Sequence, residues 1–525
     1  MAALKDVVAD GVEDAPNLNA MRHVLAELFC SVEIVPDVDG DGFLRLPRLH
    51  AGRLSDGVWD FESAGAAGGA AGAPHQWAGH PSLCGMHVEQ WLPRAARMHP
   101  DLPAVQSPAG DLSYADLADG ARGGAGILAE QGAGPGTRVA LALPAGPTFA
   151  VALHSCMSIG AVCVPLDMRL SERERDALAA KCDLVIDEPL QGSRGHDAPA
   201  GTHDLDAVAL IIHTSGTSSE PRPVELTYGN LLWSALGSAV ALGLDARERW
   251  LCALPLSHVG GLSILIRSAI YASTAVVHER FEADRVLHSL EREDVTLVSL
   301  VATTLARLLD AGLKDPPRLR CALTGGGPVP AALVERARRA GVPVSLTYGL
   351  TESCSQVTTT PVAQISAAGP GAGPALFCTT VRLAPDDEIL VRGPTVSPGA
   401  RAADGWLHTG DLGSLDERAC LHVTGRKADT IVSGGENVAP AEVEAVLEAH
   451  PGVLEAAVLG VPDPQWGEAV IAIVVPRAGH RPAEGELREH CALSLAPYKV
   501  PKAITVRDEP LPRTRSGKLL RRALA

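Results

Sequence analysis

The sequence lacks the features that mark a zinc-binding, nucleic-acid-binding or membrane-spanning protein. Its 11 cysteines form no C-x-x-C pair, so no zinc framework is predicted and reduced thiols in a cytoplasmic compartment are expected. The formal net charge is −17 and no basic cluster offsets it, which argues against a nucleic-acid partner. No apolar run reaches the roughly 18 residues that a membrane span requires, because Pro144, Gly146 and Pro147 interrupt the best candidate.

The beginning of the sequence also lacks a basic segment followed by an apolar one, the order typical of a secretory signal peptide. Acidic residues such as Asp6 and Asp10 stand there instead. We therefore expect a soluble cytoplasmic protein. Residues 1–84 are predicted to be an N-terminal extension of unknown role, with a flexible linker rich in small residues over 63–74.

From residue 85 the pattern becomes regular, because short apolar runs alternate with segments of helical periodicity. Strands are predicted over 139–143 and 161–165, with a helix over 145–159 between them. This order implies a parallel sheet with helices on its faces, so an α/β body is predicted over 85–425. A smaller α+β domain is predicted over 426–525, with Pro440 at the start of a helix.

Two helices are predicted before the first of those strands. Val88, Trp91, Leu92 and Ala95 are spaced as the apolar face of one helix. The other is predicted over 112–131, with Ser113 as its N-cap.

A polar run follows a predicted buried strand at 208–212 and reads H-T-S-G-T-S-S-E-P-R-P-V-E over 213–225. Hydroxyls lie on both sides of Gly216, and Arg222 adds a fixed positive charge, an arrangement that suits a polyphosphate. The run is not the Walker pattern, which needs G-x-x-x-x-G-K-[ST]. Taken alone, it could equally be a polar surface turn.

Further motifs follow in a fixed order. The matching stretches are T-S-G-T-S-S-E-P-R-P-V from Thr214, T-G-G-G-P from Thr324, Y-G-L-T-E from Tyr348, H-T-G-D from His408, G-R-K-A-D from Gly425, S-G-G-E-N from Ser433 and P-R-T-R-S-G-K from Pro512. Together they resemble the adenylate-forming superfamily of acyl-CoA synthetases, luciferases and peptide-synthetase adenylation domains, over about residues 86–525. The resemblance implies a large multi-sheet adenylating domain followed by a small mobile α+β domain.

The resemblance also implies a two-step reaction. ATP and a carboxylate give an acyl-adenylate and pyrophosphate, and the thiol of CoA then displaces AMP. Because a carboxylate must approach a polyanionic phosphate, cations and aimed donors have to offset the repulsion. Mg²⁺ is the implied cofactor, with ATP and CoA as co-substrates.

The resemblance assigns a role to each motif residue. The ATP-binding residues would be Thr214, Ser215, Gly216, Thr217, Ser218 and Arg222 for the phosphates, Gly325, Gly326, Gly327 and Tyr348 for adenine, and Asp411 and Arg426 for ribose. Thr351 would donate to the α-phosphate, and Glu352 would hold Mg²⁺, which favours carboxylate oxygen. Lys518 would bridge the reacting carboxylate and the α-phosphate. After the small domain rotates, Gly434, Gly435 and Glu436 would face CoA. Taken singly, these residues also have ordinary explanations as turns, loop caps or tail charges.

The middle of the chain narrows the resemblance. L-P-L-S-H-V-G-G-L-S-I-L-I-R from Leu254 and Y-G-L-T-E-S-C-S-Q-V-T from Tyr348 are similar to the o-succinylbenzoate–CoA ligases of menaquinone synthesis. Their substrate is an aromatic ring with two carboxyl groups, of which one is activated and the other stays free.

A free carboxylate in an apolar pocket needs a cation or several donors. Arg267 is the candidate cation, and the further donors would be Ser353, Ser355, Gln356 and Thr358. His258, counted with Lys518, Thr351 and Glu352 among the catalytic residues, would line the pocket and the pantetheine entry, with Gly260 and Gly261 leaving room for a ring. The alternatives are a helix-surface salt bridge for Arg267 and a buried core histidine for His258.

Several departures from the family pattern keep other functions open. The phosphate loop has Ser219 and Pro223 where glycines are usual, Glu220 adds a negative charge, and Ala428 replaces the usual Asp or Lys at the hinge. One alternative is therefore another aryl- or acyl-CoA ligase of the superfamily, and a second is a non-catalytic adenylate-binding protein. The sequence also leaves a homo-oligomer open.

Overall fold

The computed structural model describes residues 85–190, 201–214, 221–245, 247–367, 369, 371–433, 436–513 and 519–524. The predicted extension 1–84 and its linker 63–74 lie outside the described residues. The helices in the described ranges are α1 (Trp91–Met98), α2 (Tyr114–Glu130), α3 (Pro147–Ser158), α4 (Glu172–Ala179), α5 (Tyr228–Leu242), α6 (Val259–Tyr271), α7 (Ala283–Arg292), α8 (Ala302–Asp310), α9 (Ala331–Arg339), α10 (Pro440–Glu448) and α11 (Glu484–Ala492). None of these is long and apolar enough to cross a membrane.

The strands of the same ranges are numbered in chain order. They are β1 (His87–Glu89), β2 (Pro103–Ser107), β3 (Gly110–Ser113), β4 (Arg138–Leu141), β5 (Val162–Pro165), β6 (Leu184–Ile186), β7 (Thr202–Asp204), β8 (Val208–Thr214), β9 (Arg222–Thr227), β10 (Arg249–Cys252), β11 (Thr274–Val277), β12 (Leu297–Leu300), β13 (Cys321–Thr324), β14 (Val344–Leu350), β15 (Ser355–Thr359), β16 (Thr380–Leu383), β17 (Glu388–Arg392), β18 (Leu407–Leu415), β19 (Leu421–Arg426), β20 (Ile431–Ser433), β21 (Glu436–Val438), β22 (Val453–Asp463), β23 (Gly467–Pro476) and β24 (Ala503–Val506).

Two largely parallel sheets form the centre of the protein. One has eight strands in the order β15-β14-β13-β12-β10-β11-β2-β3, and the other has five in the order β6-β4-β5-β8-β9. Their inner strands pair in parallel, whereas the edge strands β3, β9 and β15 pair in the antiparallel sense. Strands such as β5 and β12 are buried along their whole length, which explains their continuous apolar runs. The predicted α/β architecture is therefore confirmed.

The main hydrophobic core lies between these sheets and helices α2, α3, α5 and α6. Tyr114 joins two of the layers, because its hydroxyl on α2 shares its one hydrogen between the carbonyls of Ser268 and Ser273, at 2.6 and 2.7 Å. Helix α2 begins as predicted. The Ser113 hydroxyl accepts from the Asp116 amide, and the Asp116 carboxylate accepts from the Ser113 amide, each at 3.1 Å, so the two side chains form a capping box.

Two further sheets belong to the C-terminal half of the described chain. Strands β16 to β19 form a four-stranded antiparallel sheet, which the sequence pattern did not reveal. After it, β20 to β24 form a five-stranded sheet packed with α10 and α11. Pro440 is the first residue of α10, as predicted, because a helix needs no amide donor at that position.

One predicted helix begins later than expected. Val88 does not belong to a helix; it lies in β1, which pairs antiparallel with β7 through Val88 and His203. Helix α1 starts only at Trp91. The pairing partner is distant in the chain, so helical spacing of the apolar residues was a misleading signal there.

Candidate active site

Three predicted ATP-binding residues meet where β14 ends beside the four-stranded sheet. Asp411 on β18 stands directly opposite Arg426 on β19 in the strand register. Arg426 Nε lies 3.0 Å from Asp411 Oδ1, and the Tyr348 hydroxyl donates to Asp411 Oδ2 at 2.8 Å. Asp411 is therefore a buried carboxylate held in a strand, rather than a loop cap.

Tyr348 remains a donor in this group. Burial is the main cause that raises the pKa of Tyr348 well above its ordinary value, and the neighbouring carboxylate of Asp411 adds to it. The phenol is therefore protonated at neutral pH and holds one carboxylate oxygen of Asp411 in place.

The three consecutive glycines after β13 have different structural reasons. A Cβ at Gly325 would lie 2.6 Å from two atoms of Thr347, so this position is required for contact between β13 and β14. Gly326 has φ +78°, a conformation that side chains rarely adopt. Gly327 faces open space. Only the last two could therefore allow close approach of a flat ligand.

The T-E-S motif forms a short 3₁₀ turn, Thr351–Ser353, at the end of β14. The Ser353 hydroxyl is used inside the turn, because it accepts from the Leu350 amide and donates to the Leu350 carbonyl, each at 3.0 Å. Glu352 is half-buried, and its backbone carbonyl accepts from Ser397 at 2.8 Å. Among the described residues no hydrogen bond or ion pair reaches the Glu352 carboxylate. It is a hard anionic oxygen donor of the kind that suits Mg²⁺.

The backbone directly after this turn is strained. Cys354 has φ +54° and Ser355 has φ +94°, values that residues other than glycine rarely adopt. Gly349 lies beneath them, and a Cβ there would be 1.7 Å from the Ser355 carbonyl oxygen. Such strain is typical of functional sites, where the surrounding structure holds a local conformation in place.

Arg267 lies inside the protein on α6, with 2% of its surface exposed. Its Nη2 donates to the Ser234 hydroxyl at 3.0 Å, and that hydroxyl donates to the Cys354 carbonyl at 2.6 Å. The guanidinium lies 5.6 Å from the centre of the Trp250 ring. In the described part of the chain its Nε has no hydrogen-bond partner and no carboxylate forms an ion pair with it. Burial lowers the pKa of Arg267.

This environment decides between the two explanations of Arg267. A helix-surface salt bridge requires exposure and an acidic partner, and Arg267 has neither among the described residues. The side chain is instead a buried cation connected, through Ser234, to the strained backbone that follows Thr351 and Glu352.

His258 is the N-cap residue of α6 and is half-buried, so it is not a core histidine. Its Nε2 lies 3.1 Å from Nη2 of Arg169. Because a guanidinium can only donate, Nε2 is the acceptor in this hydrogen bond. Gly261 is required for packing, since a Cβ there would lie 2.5 Å from the Pro255 carbonyl oxygen. It was predicted instead to leave room for a ring.

The sequence alone did not point to Asp167 and Arg169. Arg169 Nε and Nη2 donate to Asp167 at 2.8 and 2.7 Å. Burial opposes ionisation of Asp167, but the hydrogen bonds from Arg169 outweigh it and lower its pKa. The pair follows β5 closely in a D-x-R spacing, which was the available signal. The ion pair with Asp167 holds Arg169 beside His258.

The predicted phosphate loop joins the two strands of a hairpin. Thr214 at the end of β8 pairs with Arg222 at the start of β9, and the Thr214 hydroxyl donates to the Arg222 carbonyl at 3.3 Å. Arg222 is exposed. The predicted site residues that lie outside the described ranges are Ser215, Gly216, Thr217, Ser218, Gly434, Gly435 and Lys518. Glu436 is exposed at the start of β21.

Comparisons with known proteins identify the family of the chain. The family model described as AMP-binding enzyme matches residues 92–191 and 183–399, and the one described as AMP-binding enzyme C-terminal domain matches residues 442–518. The 2-succinylbenzoate–CoA ligase of Bacillus subtilis strain 168 is 37% identical over 475 residues, covering 83% of this chain and 97% of the relative.

Two solved structures of o-succinylbenzoate CoA synthetase from Bacillus subtilis have the same architecture. One is the complex with the acyl-adenylate intermediate OSB-AMP, and the other is the complex with ATP and magnesium ion. Each has a TM-score of 0.76 and 36% identity and covers 83% of this chain, with 98% and 99% of their own chains matched. These matches confirm the large N-terminal domain with a smaller C-terminal one. The chain belongs to the AMP-binding enzyme family, the adenylate-forming superfamily that its motifs resemble.

Proposed function

We propose that this protein is an AMP-forming acid–thiol ligase that converts o-succinylbenzoate, ATP and CoA into o-succinylbenzoyl-CoA, AMP and pyrophosphate, with Mg²⁺ as cofactor. The relatives named 2-succinylbenzoate–CoA ligase support this substrate. The nine cysteines that the structure describes are all free, which supports a reducing compartment such as the cytoplasm.

The observation that carries the proposal is the buried Arg267. A buried charge without a partner of opposite charge is costly, by several kcal/mol per ion, and no described carboxylate pairs with Arg267. An aromatic acid whose second carboxylate reaches Arg267 would supply the missing anion. The Arg267–Ser234–Cys354 connection would place that anion beside the turn that carries Thr351 and Glu352.

The first step joins a carboxylate oxygen of the acid to the α-phosphorus of ATP and breaks the bond to pyrophosphate. Asp411 would accept from both ribose hydroxyls, with Arg426 and Tyr348 holding it in place. Thr351 would donate to the α-phosphate, and Lys518 would offset the charge between the two anions. Mg²⁺, held by Glu352, would offset phosphate charge when bound. We assign Ser353 to holding the turn, because its hydroxyl is engaged there.

In the second step the CoA sulfur attacks the acyl carbon, and the bond to AMP breaks. His258, oriented by Arg169, would line the entry of the thiol, and Ser433–Glu436 would face CoA after the small domain rotates. We propose domain boundaries at 1–84, 85–425 and 426–525, with rotation about the 3₁₀ turn Lys427–Asp429. That turn stands between the four-stranded sheet and the sheet of the small domain.

The test compares Arg267→Ala with the unaltered protein on two acids. One is o-succinylbenzoate, and the other keeps the succinyl chain on the ring but lacks the second carboxylate. Losing a buried charged contact costs about 2–5 kcal/mol, so kcat/KM for o-succinylbenzoate should fall by about 100-fold or more, and much less for the analogue. Arg307→Ala is the control, since this arginine is exposed and its guanidinium lies 4.9 Å from the centre of the Phe281 ring.

Each other outcome points to a named alternative. Equal losses of kcat/KM on both acids would mean that Arg267 does not bind the second carboxylate of the substrate. Pyrophosphate release with simple aryl or aliphatic acids but not with o-succinylbenzoate would indicate another acyl-CoA ligase. ATP binding without carboxylate-dependent pyrophosphate exchange would indicate a non-catalytic adenylate-binding protein.

A further inference from the structure

A carboxylate, a thiol and an imidazole meet at the tip of the β18–β19 hairpin. They belong to Asp416, Cys420 and His422, and their ligand atoms all lie within 4.8 Å of one another. In the part of the chain that the structure describes, no other group of three histidine, cysteine or acidic side chains is placed so closely. Asp411 and Arg426 pair at the opposite end of the same two strands, so the cluster lies apart from them. The proposed ligase reaction does not use it.

The hairpin turn brings these three side chains together. The Asp416 amide donates to the Cys420 carbonyl at 3.1 Å, which closes a loop over 417–419. Cys420 and His422 are two residues apart where the chain enters β19, and residues with that spacing in an extended strand point to the same face. The ligands therefore have a C-x-H spacing, not the C-x-x-C pair that the sequence lacks.

Backbone amides fix the orientation of the Asp416 carboxylate. Its Oδ1 accepts from the amides of Arg418 and Cys420, each at 2.9 Å. Its Oδ2 lies 3.3 Å from Nε2 of His422. Two ligand atoms bound to a tetrahedral Zn²⁺ at about 2.0–2.1 Å are about 3.3 Å from each other. The carboxylate and the imidazole thus already have the separation that such an ion requires.

A glycine provides the space beside the other two ligand atoms. A Cβ at Gly371 would collide with Cys420 Sγ and would lie 3.1 Å from His422 Nε2. The Ala372 amide donates to the Leu421 carbonyl at 2.7 Å, which holds this segment along β19. The thiol and the imidazole therefore face the same glycine, and a side chain at that position would displace them.

We propose that Asp416 Oδ2, Cys420 Sγ and His422 Nε2 form a binding site for Zn²⁺, with water as the fourth ligand. Zn²⁺ accepts thiolate, imidazole and carboxylate together, whereas Mg²⁺ prefers oxygen ligands. All three side chains are exposed or half-buried, so the ion enters from solvent and keeps one water. Binding releases the thiol proton, and the ion replaces the hydrogen between His422 and Asp416.

Cobalt binding tests the site directly, because Co²⁺ replaces Zn²⁺ and its bond to a thiolate absorbs in the near ultraviolet. The full chain, freed of metal by a chelator, should bind one Co²⁺ with this absorption. Zn²⁺ should displace the Co²⁺, and Mg²⁺ should not. Cys420→Ser should abolish the absorption. His422→Ala should weaken Zn²⁺ binding by more than about 100-fold, since even the loss of an outer contact costs about 10–100-fold.

The matched control is Cys182→Ser, which removes another partly exposed free thiol. This variant should bind Co²⁺ and Zn²⁺ like the unaltered chain. Absorption that persists in Cys420→Ser would overturn the proposal, because the thiolate would then belong to another cysteine. Equal Zn²⁺ affinity in the His422→Ala variant and the unaltered chain would also overturn it.

Gly371→Ala tests the geometry without removing a ligand. The added Cβ meets the end of a flexible side chain, so the thiol has to move while the backbone stays in place. Zn²⁺ affinity should fall by about tenfold or more, with an unchanged circular dichroism spectrum. Gly369→Ala is the control, since a Cβ there would meet no atom within 4 Å. Equal affinities in these two variants would contradict the proposed arrangement.

Hydrogen exchange gives a readout that does not depend on ligase activity. Zn²⁺ should slow the exchange of amides 416–422 in the unaltered chain but not in Cys420→Ser, and Mg²⁺ should slow it in neither. Absence of this protection in the unaltered chain would contradict the proposal. The site is independent of the proposed reaction, so the absence of o-succinylbenzoate activity would contradict the proposed function alone.

Discussion

Two guanidinium groups of this protein meet opposite conditions. Arg426 is 51% exposed and faces the carboxylate of Asp411, which is 8% exposed. Arg267 is 2% exposed and faces a hydroxyl, with no carboxylate beside it in the described residues. The Arg426–Asp411 pair is a complete ion pair within the candidate site. The second guanidinium carries a charge that no carboxylate of the described residues neutralises, and for this reason we propose that it binds an anionic ligand.

The sharpest test of this comparison replaces Arg267 by methionine, an apolar side chain of similar length. We expect kcat/KM for o-succinylbenzoate to fall by about 100-fold or more. The free energy of unfolding without ligand should stay the same or rise by about 1 kcal/mol, because a buried unpaired charge is removed. Chemical denaturation with and without substrate measures both effects. A clear loss of stability without ligand would mean that Arg267 has a structural role instead.

The same substitution at Arg426 should have the opposite effect on stability. Arg426→Met leaves the buried Asp411 carboxylate with Tyr348 as its side-chain donor, so the free energy of unfolding should fall by about 1–2 kcal/mol. The KM for ATP should rise by about tenfold, since a less fixed Asp411 binds ribose less well. Arg307→Met serves as the control in both assays. Equal changes in the free energy of unfolding for the substitutions at positions 267 and 426 would contradict the distinction between an unpaired and a paired guanidinium.

The small domain contains a buried carboxylate, Glu448, whose surroundings disfavour its ionised form. Burial raises the pKa of Glu448 to about 7 from its ordinary value of 4.5, and the nearby Glu444 adds to the effect. The folded state thus binds this proton more tightly than the unfolded state. The stability it contributes is complete below pH 4.5 and is lost as the pH rises through about 7.

Glu448→Gln should remove that dependence on pH. We expect its free energy of unfolding at pH 8 to exceed that of the unaltered protein by about 1–2 kcal/mol, with no difference at pH 4. Glu489→Gln, on the exposed face of α11, is the control. Denaturation curves between pH 4 and 8 measure the effect. An advantage that did not grow with pH would mean that Glu448 ionises normally in the folded protein.

Local chemistry made part of the fold predictable. Ser113 and Pro440 begin helices because their short-range preferences agree with the surrounding structure. The parallel strands were visible as apolar runs because both of their faces are buried. The sheet of β16 to β19 was not visible, since its first strand alternates between exposed and half-buried positions and its pairing depends on residues elsewhere in the chain.

The candidate site divides along the same line. The sequence motifs identified Asp411, Arg426, Tyr348 and Arg267 as candidate site residues. They did not indicate which of these residues are in contact. From the sequence, Gly261 and Ser353 were predicted to belong to the substrate pocket. In the structure, Gly261 allows close packing, and the Ser353 hydroxyl holds the turn. Arg169 was missed because its partner His258 follows only after 88 intervening residues.

The sequence by itself determined the family, the order of the motifs and the alternation of strands and helices, because these follow from residue type and local spacing. Only the tertiary structure decided that Tyr348 and Asp411, 63 residues apart, share a hydrogen bond and that Arg267 is buried with no carboxylate beside it in the part of the chain that the structure describes. Both facts depend on how distant segments pack, and long-range packing is not encoded in any single stretch of the chain.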